Sequence, residues 1–298
     1  MEKISVIIPT KDRLTFLKKV LPTYFMQPEL KEIIFVVDGS TDGTQAYLKK
    51  IHKQYPKVTF LDNGINRGIP YSKNRGIDAA KGEYIFIAED DLELTPGFFN
   101  ILLQHLQSSK ADLICGRNIF RFDYETEEQT LERNDRMKGP AIDRKLIKVN
   151  TGLKLEEDIE QPMLANPTLG RTEVFKKVRF DERYVVNFWR EETDFQISAV
   201  EEGYKLVSCP HALCFNYMIT NDKGGVRATV GFKRAKWIIR NNWRFIKKHR
   251  EYLAQHFEIG NPYVYITVFS VRKVITEAIF PLLSPLKRIV LRALRRSN

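Results

Sequence analysis

The sequence predicts an α/β protein built on a doubly wound, mostly parallel sheet. Three observations carry this. Short β-branched runs recur at 4–8, 33–37 and 84–88, each followed by turn residues; the intervals between them space their apolar residues as helices do; and 298 residues, 43% hydrophobic and 29% charged, suffice for a sizeable core. Strands alternating with helices at these lengths select parallel pairing through crossovers. The composition excludes a disordered chain, a collagen-like repeat and a disulfide-stapled scaffold.

Taken in order, strand 4–8 stops at Pro9, helical spacing covers 14–24, and strand 33–37 completes a βαβ unit. A helix over 44–55, a strand at 58–61, a polar turn at 62–68, a helix over 72–80 and a strand at 84–88 ending in acids repeat the pattern. Ligands of such sheets bind beyond the carboxyl ends of the strands. The functional residues are therefore expected just after Ile8, Val37, Leu61 and Ala88. From about 120 to 165 the chain turns polar and charged without a clear period, which predicts a long loop excursion. Regular structure resumes at 172–175, with a helix at 192–202 and a strand at 205–209. Gly224-Gly225 predicts a hinge; a helical stretch over 230–249 follows, then apolar and basic segments at 263–280 and 286–296. The expected organisation is one domain over 1–226 and a basic, helical, amphipathic region over 227–298.

Net charge is +11, and its distribution is uneven. Residues 1–226 hold 32 Lys and Arg against 34 Asp and Glu, whereas 227–298 hold 16 against 3. Such a cluster suits phosphates of a nucleic acid or an anionic membrane surface. In 286–296, Leu286, Ile289, Val290, Ala293 and Leu294 share one helical face and Lys287, Arg288, Arg292, Arg295 and Arg296 cover the rest. Tyr263, Tyr265, Phe269 and Phe280 interleave upstream. This is the pattern of an interfacial helix, or of a helix packed on a core with a solvated basic face. Binding phosphates needs no apolar face, so an anionic membrane surface contacted through 260–298 is favoured and no nucleic acid is expected. Three cysteines without a CxxC pair fit reduced thiols. No run of 18 apolar residues occurs, and the N-terminal apolar run is too short for a signal peptide. The expected location is cytoplasmic, peripheral on the cytoplasmic face of the cell membrane.

The strongest local chemical signal is Glu89-Asp90-Asp91 at the end of strand 84–88. Three consecutive acids after a buried strand raise one another's pKa unless a positive group meets them. A hard divalent cation, Mn²⁺ or Mg²⁺, held by carboxylates and completed by substrate phosphates, meets that demand; the alternative is a solvated acidic turn. After the second strand, Asp38-Gly39 suits hydrogen bonding to a ribose or base, or else a turn in which Asp42 or Thr44 opens the next helix. GxGxxG and GxxxxGK[ST] are both absent, which disfavours a nicotinamide dinucleotide fold and a P-loop NTPase.

The ordered set SVIIPTKDR at 5–13, VVDGSTDGT at 36–44, NRGIPYSKNRG at 66–76 and GEYIFIAEDDLELTP at 82–96 resembles the signature of family 2 glycosyltransferases with the A-type fold. The resemblance implies a nucleotide-diphosphate-sugar donor, a DxD-type metal site and transfer with inversion. Carried over by position, Pro9, Thr10 and Arg13 would line the nucleotide pocket, Asp38 would meet the base, and Asp90 would lie near the ribose. Asn66 belongs to the same donor-binding set, together with Lys73 or Arg75 as the cation that meets the donor. Asp91 would be the chief metal ligand, and Glu89 stands where the family often has the first Asp of DxD. Trp189-Arg190-Glu191-Glu192-Thr193-Asp194 resembles the E-D-x-D element, which puts Glu192 in the place of the base, with Glu191 and Asp194 as alternatives. Asn216 stands where many relatives place a histidine. His211, five positions earlier and beside a proline, reads as a structural turn residue. Residues 166–171 with 180–183 resemble a region that faces the acceptor in relatives, and Gly224-Gly225 with Arg227 resembles a mobile loop near the donor diphosphate.

The resulting expectation is a metal-dependent inverting hexosyltransferase that takes a UDP-sugar, with a GDP-sugar as the alternative, and delivers it to a lipid-linked or glycan acceptor. Rival readings are a sugar nucleotidyltransferase, a catalytically inactive relative and a basic nucleic-acid-binding protein.

Overall fold

The computed structural model describes residues 2–218 and 230–279. Residues 2–182 and 191–218 form one compact unit, and residues 183–190 with 230–279 form a second. The expected Gly224-Gly225 hinge with Arg227, Phe280 and the amphipathic segment 286–296 lie outside the described residues.

The first unit opens with β1 (Ile4–Thr10), α1 (Leu14–Phe25), β2 (Leu30–Val37), α2 (Thr44–Gln54), β3 (Val58–Asp62), α3 (Ile69–Ala79) and β4 (Tyr84–Ile87). It continues with β5 (Leu92–Leu94), α4 (Phe98–Ser108), β6 (Leu113–Phe122), α5 (Glu127–Asp135), β7 (Ile142–Asp143), β8 (Lys148–Val149), β9 (Ile159–Glu160), β10 (Thr168–Arg171), α6 (Thr172–Lys177), α7 (Glu191–Glu201) and β11 (Leu206–Met218). Among the described residues, nine strands form one sheet in the order β3-β2-β1-β4-β10-β6-β11-β5, with β9 on β11. Pairs β1/β2, β1/β4, β2/β3 and β6/β11 are parallel, whereas β10 runs antiparallel between β4 and β6. The fold is thus a mixed, mostly parallel α/β sheet.

Alternation along the strands divides the core. Val6, Ile8, Phe35 and Phe86 pack with α1 and α4, where Phe98 and Phe99 meet the Phe86 ring edge-to-face at 5.7 and 5.0 Å. Ile7, Ile34, Ile85 and Ile87 pack with Ile77, Phe175 and Phe195 on the other side. The strand order reverses direction around β1: α1 leads from β1 to β2 on one flank, and α3 leads from β3 back to β4 on the other. The carboxyl ends of β1, β2 and β4 therefore open at the switch point, the usual place for a ligand in such a sheet. Gly39, at φ +72°, lets the turn after β3 close over the end of β2, because a Cβ there would come within 2.8 Å of the Asn66 amide nitrogen.

The 120–165 excursion is not the structureless loop that its polar sequence predicts. It holds α5 and the β7/β8 ribbon. The Thr126 hydroxyl accepts from the Gln129 amide, and the Gln129 side chain accepts from the Thr126 amide, a reciprocal cap that starts α5 without an apolar face.

The second unit contains α8 (Gly231–Lys248), α9 (Arg250–His256) and α10 (Pro262–Val274), followed by a π turn at Ile275–Ile279. The Asn261 side chain caps α10 by accepting from the Tyr263 and Val264 amides. Asn241 donates to the Val185 carbonyl and the Asn187 side chain, both at 3.1 Å, and the Arg190 Nε donates to the Asn242 side-chain oxygen Oδ1 at 2.9 Å. The residues from Arg183 to Arg190 are thereby held by α8.

Candidate active site

Glu89, Asp90 and Asp91 follow β4 and lie beside the end of β1. Thr10 Oγ1 donates to Asp90 at 2.9 Å. The Arg13 guanidinium donates through Nε to Asp90 at 3.2 Å and through its terminal nitrogen to Asp91. The same guanidinium stacks over the Phe16 ring, 3.7 Å from its centroid, which fixes the fork. Glu89 instead meets an amide: Asn216 Nδ2 donates to it. That contact follows from strand register, since β5 and β11 run antiparallel with Asn216 opposite Leu92. Among the described residues, two of the three carboxylates thus share one guanidinium and the third meets a neutral amide. Burial, reinforced by Asp91 and Glu192, pushes Glu89 up to about 8. Burial also pushes Asp90 up to about 6 against the pull of Arg13. The surplus of buried negative charge and the all-oxygen donor set fit a hard divalent cation on Glu89 and Asp91.

A second acidic group stands at the start of α7. Lys73, buried on α3, donates to Glu191 at 2.7 Å and to Glu192 at 2.6 Å. Burial alone would lower the Lys73 pKa, but the two carboxylates outweigh it and raise it, so the ammonium stays charged. One ammonium balances one of the two carboxylates, and burial pushes Glu191 up to about 8. The Glu191 side chain is 6% exposed and its Oε2 is buried without a hydrogen-bond partner among the described residues, whereas the Glu192 side chain is 30% exposed. Asp194 is fully buried. The helix N-terminus favours all three carboxylates. The two groups also feel one another: Glu192 raises the Glu89 pKa and Lys73 lowers it.

Asp38, just past β2, accepts from the Asn63 side chain at 2.8 Å, the Arg67 amide at 2.7 Å and the Gly68 amide at 2.9 Å. A carboxylate accepts about four hydrogen bonds, so one acceptor position remains. Arg75 donates to the Asp62 carbonyl at 2.7 Å and to the Asn63 side chain at 2.6 Å, and so braces the same turn. Asn66 is exposed on that turn. Asp42 accepts from the Thr44 and Leu14 amides, the helix-opening role that its turn predicts.

The structure brings Pro9, Thr10, Arg13, Asp90, Asp91 and Glu89 to one strand end, and Lys73, Glu191 and Glu192 to one ion-paired group. Asp38, Asn66 and Arg75 belong to the turn beside the end of β2. Sequence reading overlooked Asn63, which links Asp38 to Arg75, and Asn74, which donates to the Phe180 carbonyl at 2.9 Å and to Glu182 at 2.8 Å. Asn63 follows Asp62 and precedes a glycine, a turn signal that was available. Nothing local marks Asn74.

The sequence model of Glycosyl transferase family 2 matches residues 5–179. Among curated proteins, the chain is 33% identical over 114 residues to the GalNAc(5)-diNAcBac-PP-undecaprenol beta-1,3-glucosyltransferase of Campylobacter jejuni, covering 37% of each chain. It is 32% identical over 123 residues to the glycosyltransferase GlyG of Streptococcus pneumoniae, covering 41% of this chain and 40% of that one. These matches span less than half the length of either relative. Among solved structures, the mannosyltransferase of Pyrobaculum calidifontis in complex with GDP-Man and Mn²⁺ superposes with a TM-score of 0.59 at 14% identity, over 91% of this chain and 72% of that one. Residues 1–349 of Staphylococcus aureus TarS in complex with UDP-GlcNAc superpose equally well, over 95% and 75%. These two likenesses bear out the A-type fold. The family match covers more than half of the chain, which therefore belongs to glycosyl transferase family 2.

Proposed function

We propose that this protein is a metal-dependent, inverting glycosyltransferase that moves a hexosyl group from a UDP-sugar to a hydroxyl of a lipid-linked or glycan acceptor. The observation that carries the reading is the presence of two carboxylate groups at one sheet end, close enough to shift each other's protonation, with different cations on each. Group transfer with inversion needs that division: negative charge develops on the leaving diphosphate, and a proton leaves the acceptor on the opposite side of the sugar.

Glu192 is the carboxylate that an acceptor can reach, and it takes the hydroxyl proton as the acceptor oxygen bonds to the anomeric carbon. The bond from that carbon to the diphosphate oxygen breaks with its electron pair on the nucleoside diphosphate. Lys73, 2.6 Å from Glu192, fixes its position. Glu191, almost wholly buried, supports the same lysine, and the buried Asp194 belongs to the helix start. Arg13 and Thr10 hold Asp90 and Asp91 in place. Glu89 and Asp91 would hold the divalent ion, Mn²⁺ or Mg²⁺, which supplies charge neutralisation for the leaving diphosphate. Asp38 offers its remaining acceptor position to a base N–H, with Pro9 beside it. Uracil, with its single N–H, suits one such acceptor, which is why UDP is preferred to GDP.

The C. jejuni relative is named for a PP-undecaprenol-linked substrate, which supports a lipid-linked acceptor here. On α10, Val264, Val268 and Val271 lie on one helical face and are 57–63% exposed. Combined with the charge excess of residues 227–298, this supports peripheral attachment to an anionic membrane face. Binding and slow hydrolysis of a panel of UDP- and GDP-sugars, with and without Mn²⁺ or Mg²⁺, tests the activity. A metal-dependent preference for one UDP-sugar is expected, and a chain that binds no nucleotide sugar with either metal contradicts the proposal. Salt-sensitive cosedimentation with anionic but not neutral vesicles tests the attachment; equal behaviour with both vesicles removes it.

A further inference from the structure

A second cluster of metal-ligating side chains lies in the first unit and shares no residue with the two acidic groups. His105 sits in the last turn of α4, Asp158 immediately precedes β9, and His211 rides on β11. Three elements far apart in sequence therefore deliver one side chain each. The convergence has a backbone cause. Strand β9 pairs with β11 through Ser208 opposite Ile159, which brings Asp158 alongside Cys209. Pairing of β11 with β6 shifts between Ser208 and Leu213, so the chain bulges there and re-aims His211.

The geometry is that of a ligand set. One ligating atom from each of His105, Asp158 and His211 lies within 4.8 Å of the others. His105 Nδ1 is 2.7 Å from Asp158 Oδ2, and the two imidazole rings are 4.9 Å apart. Asp158 Oδ1 is buried with no hydrogen-bond partner among the described residues. His211 is exposed and the side chains of His105 and Asp158 are partly so, which leaves an entry path.

We propose that His105, Asp158 and His211 form a binding site for a zinc-class transition-metal ion, distinct from the acidic site at 89–91. Two imidazoles and one carboxylate are borderline donors of the kind that Zn²⁺ takes, with water in the fourth position; Mg²⁺ and Mn²⁺ prefer the all-oxygen set of Glu89 and Asp91. The ion would fasten α4 and β11 to the point where the 123–158 excursion returns to the sheet, so its effect is structural. The proposal is independent of the glycosyltransferase reading.

Zn²⁺ affinity measured by competition with a chromogenic chelator tests it on the full chain, with wild type, His211→Ala, Asp158→Asn and Asp91→Asn compared. One Zn²⁺ per chain is expected in wild type and in Asp91→Asn. His211→Ala, at an exposed position that does not endanger folding, is expected to weaken binding by more than the roughly 10- to 100-fold that loss of an outer-shell partner costs. Asp158→Asn is expected to weaken it as well. Zn²⁺ should raise the Tm and slow proteolysis within the excursion in wild type but not in His211→Ala. Affinity unchanged in His211→Ala, or lost in Asp91→Asn instead, overturns the proposal.

Discussion

The acids after β4 and the acids that open α7 each set two carboxylates on one buried cation, but the cations act differently. Arg13 spreads a planar fork across Asp90 and Asp91 and leaves Glu89 to a neutral amide. Lys73 is a compact charge placed between Glu191 and Glu192. The first group therefore keeps a surplus of negative charge at a strand end, where a cation and a diphosphate can complete it. The second has one of its two paired carboxylates balanced by Lys73 and presents one partly exposed carboxylate, Glu192. The contrast teaches that residue type alone does not divide the labour between acids; the partner cation and the exposure do.

Removing the exposed carboxylate breaks the comparison hardest. Glu192→Gln is expected to lower turnover by about 10²- to 10⁴-fold, the usual worth of a general base, with donor affinity retained in a binding assay. Glu191→Gln should cost far less, and equal losses in the two variants would erase the distinction between them. Next comes Lys73→Met, which takes the shared cation from the buried Glu191 and the partly exposed Glu192 and is expected to destabilise the fold by about 3–5 kcal/mol, read from the urea midpoint. Asn216→Ala removes the only side-chain donor recorded for Glu89 among the described residues and is expected to cost about 1–3 kcal/mol by the same measurement.

A further expected effect is a pH slope. Burial pushes the Glu191 carboxyl up from its ordinary 4.5 to about 8, so above the ordinary value the folded state keeps a proton that the unfolded state has released. Stability then falls as pH rises through that window, because the unfolded state binds fewer protons. Denaturant midpoints at about pH 5 and about pH 8 should differ less in Glu191→Gln than in wild type. An unchanged difference shows that Glu191 does not hold this proton.

The strands and helices up to Ile87 were legible because β-branched runs and helical spacing recur there without interruption. Asp38 and Glu89-Asp90-Asp91 stand just after strands whose ends are plain, whereas Glu191, Glu192 and Asp194 open a helix and stood out only through their resemblance to the E-D-x-D element. Helix α5 escaped notice because it buries only Thr130 and Asn134, so no apolar period marks it, although the Thr126 and Gln129 cap was there to read. Strand β10 has four residues and gives no sign that it runs antiparallel. The roles of Lys73 and Arg75 were open in the sequence because residues two apart on a helix point to different sides. Only the fold tells that Lys73 turns to α7 and Arg75 to the turn after β3. The contact of Asn216 with Glu89 depends on the β5–β11 register, which no local pattern fixes.

The most direct test of the division between the two acidic groups is to measure donor binding and turnover separately, with and without Mn²⁺, in wild type, Asp91→Asn and Glu192→Gln. The account predicts that Asp91→Asn loses the metal-dependent part of donor binding together with turnover, while Glu192→Gln binds the donor as wild type does and fails only in transfer. Metal-dependent binding that survives in Asp91→Asn, or transfer that survives in Glu192→Gln, would contradict it.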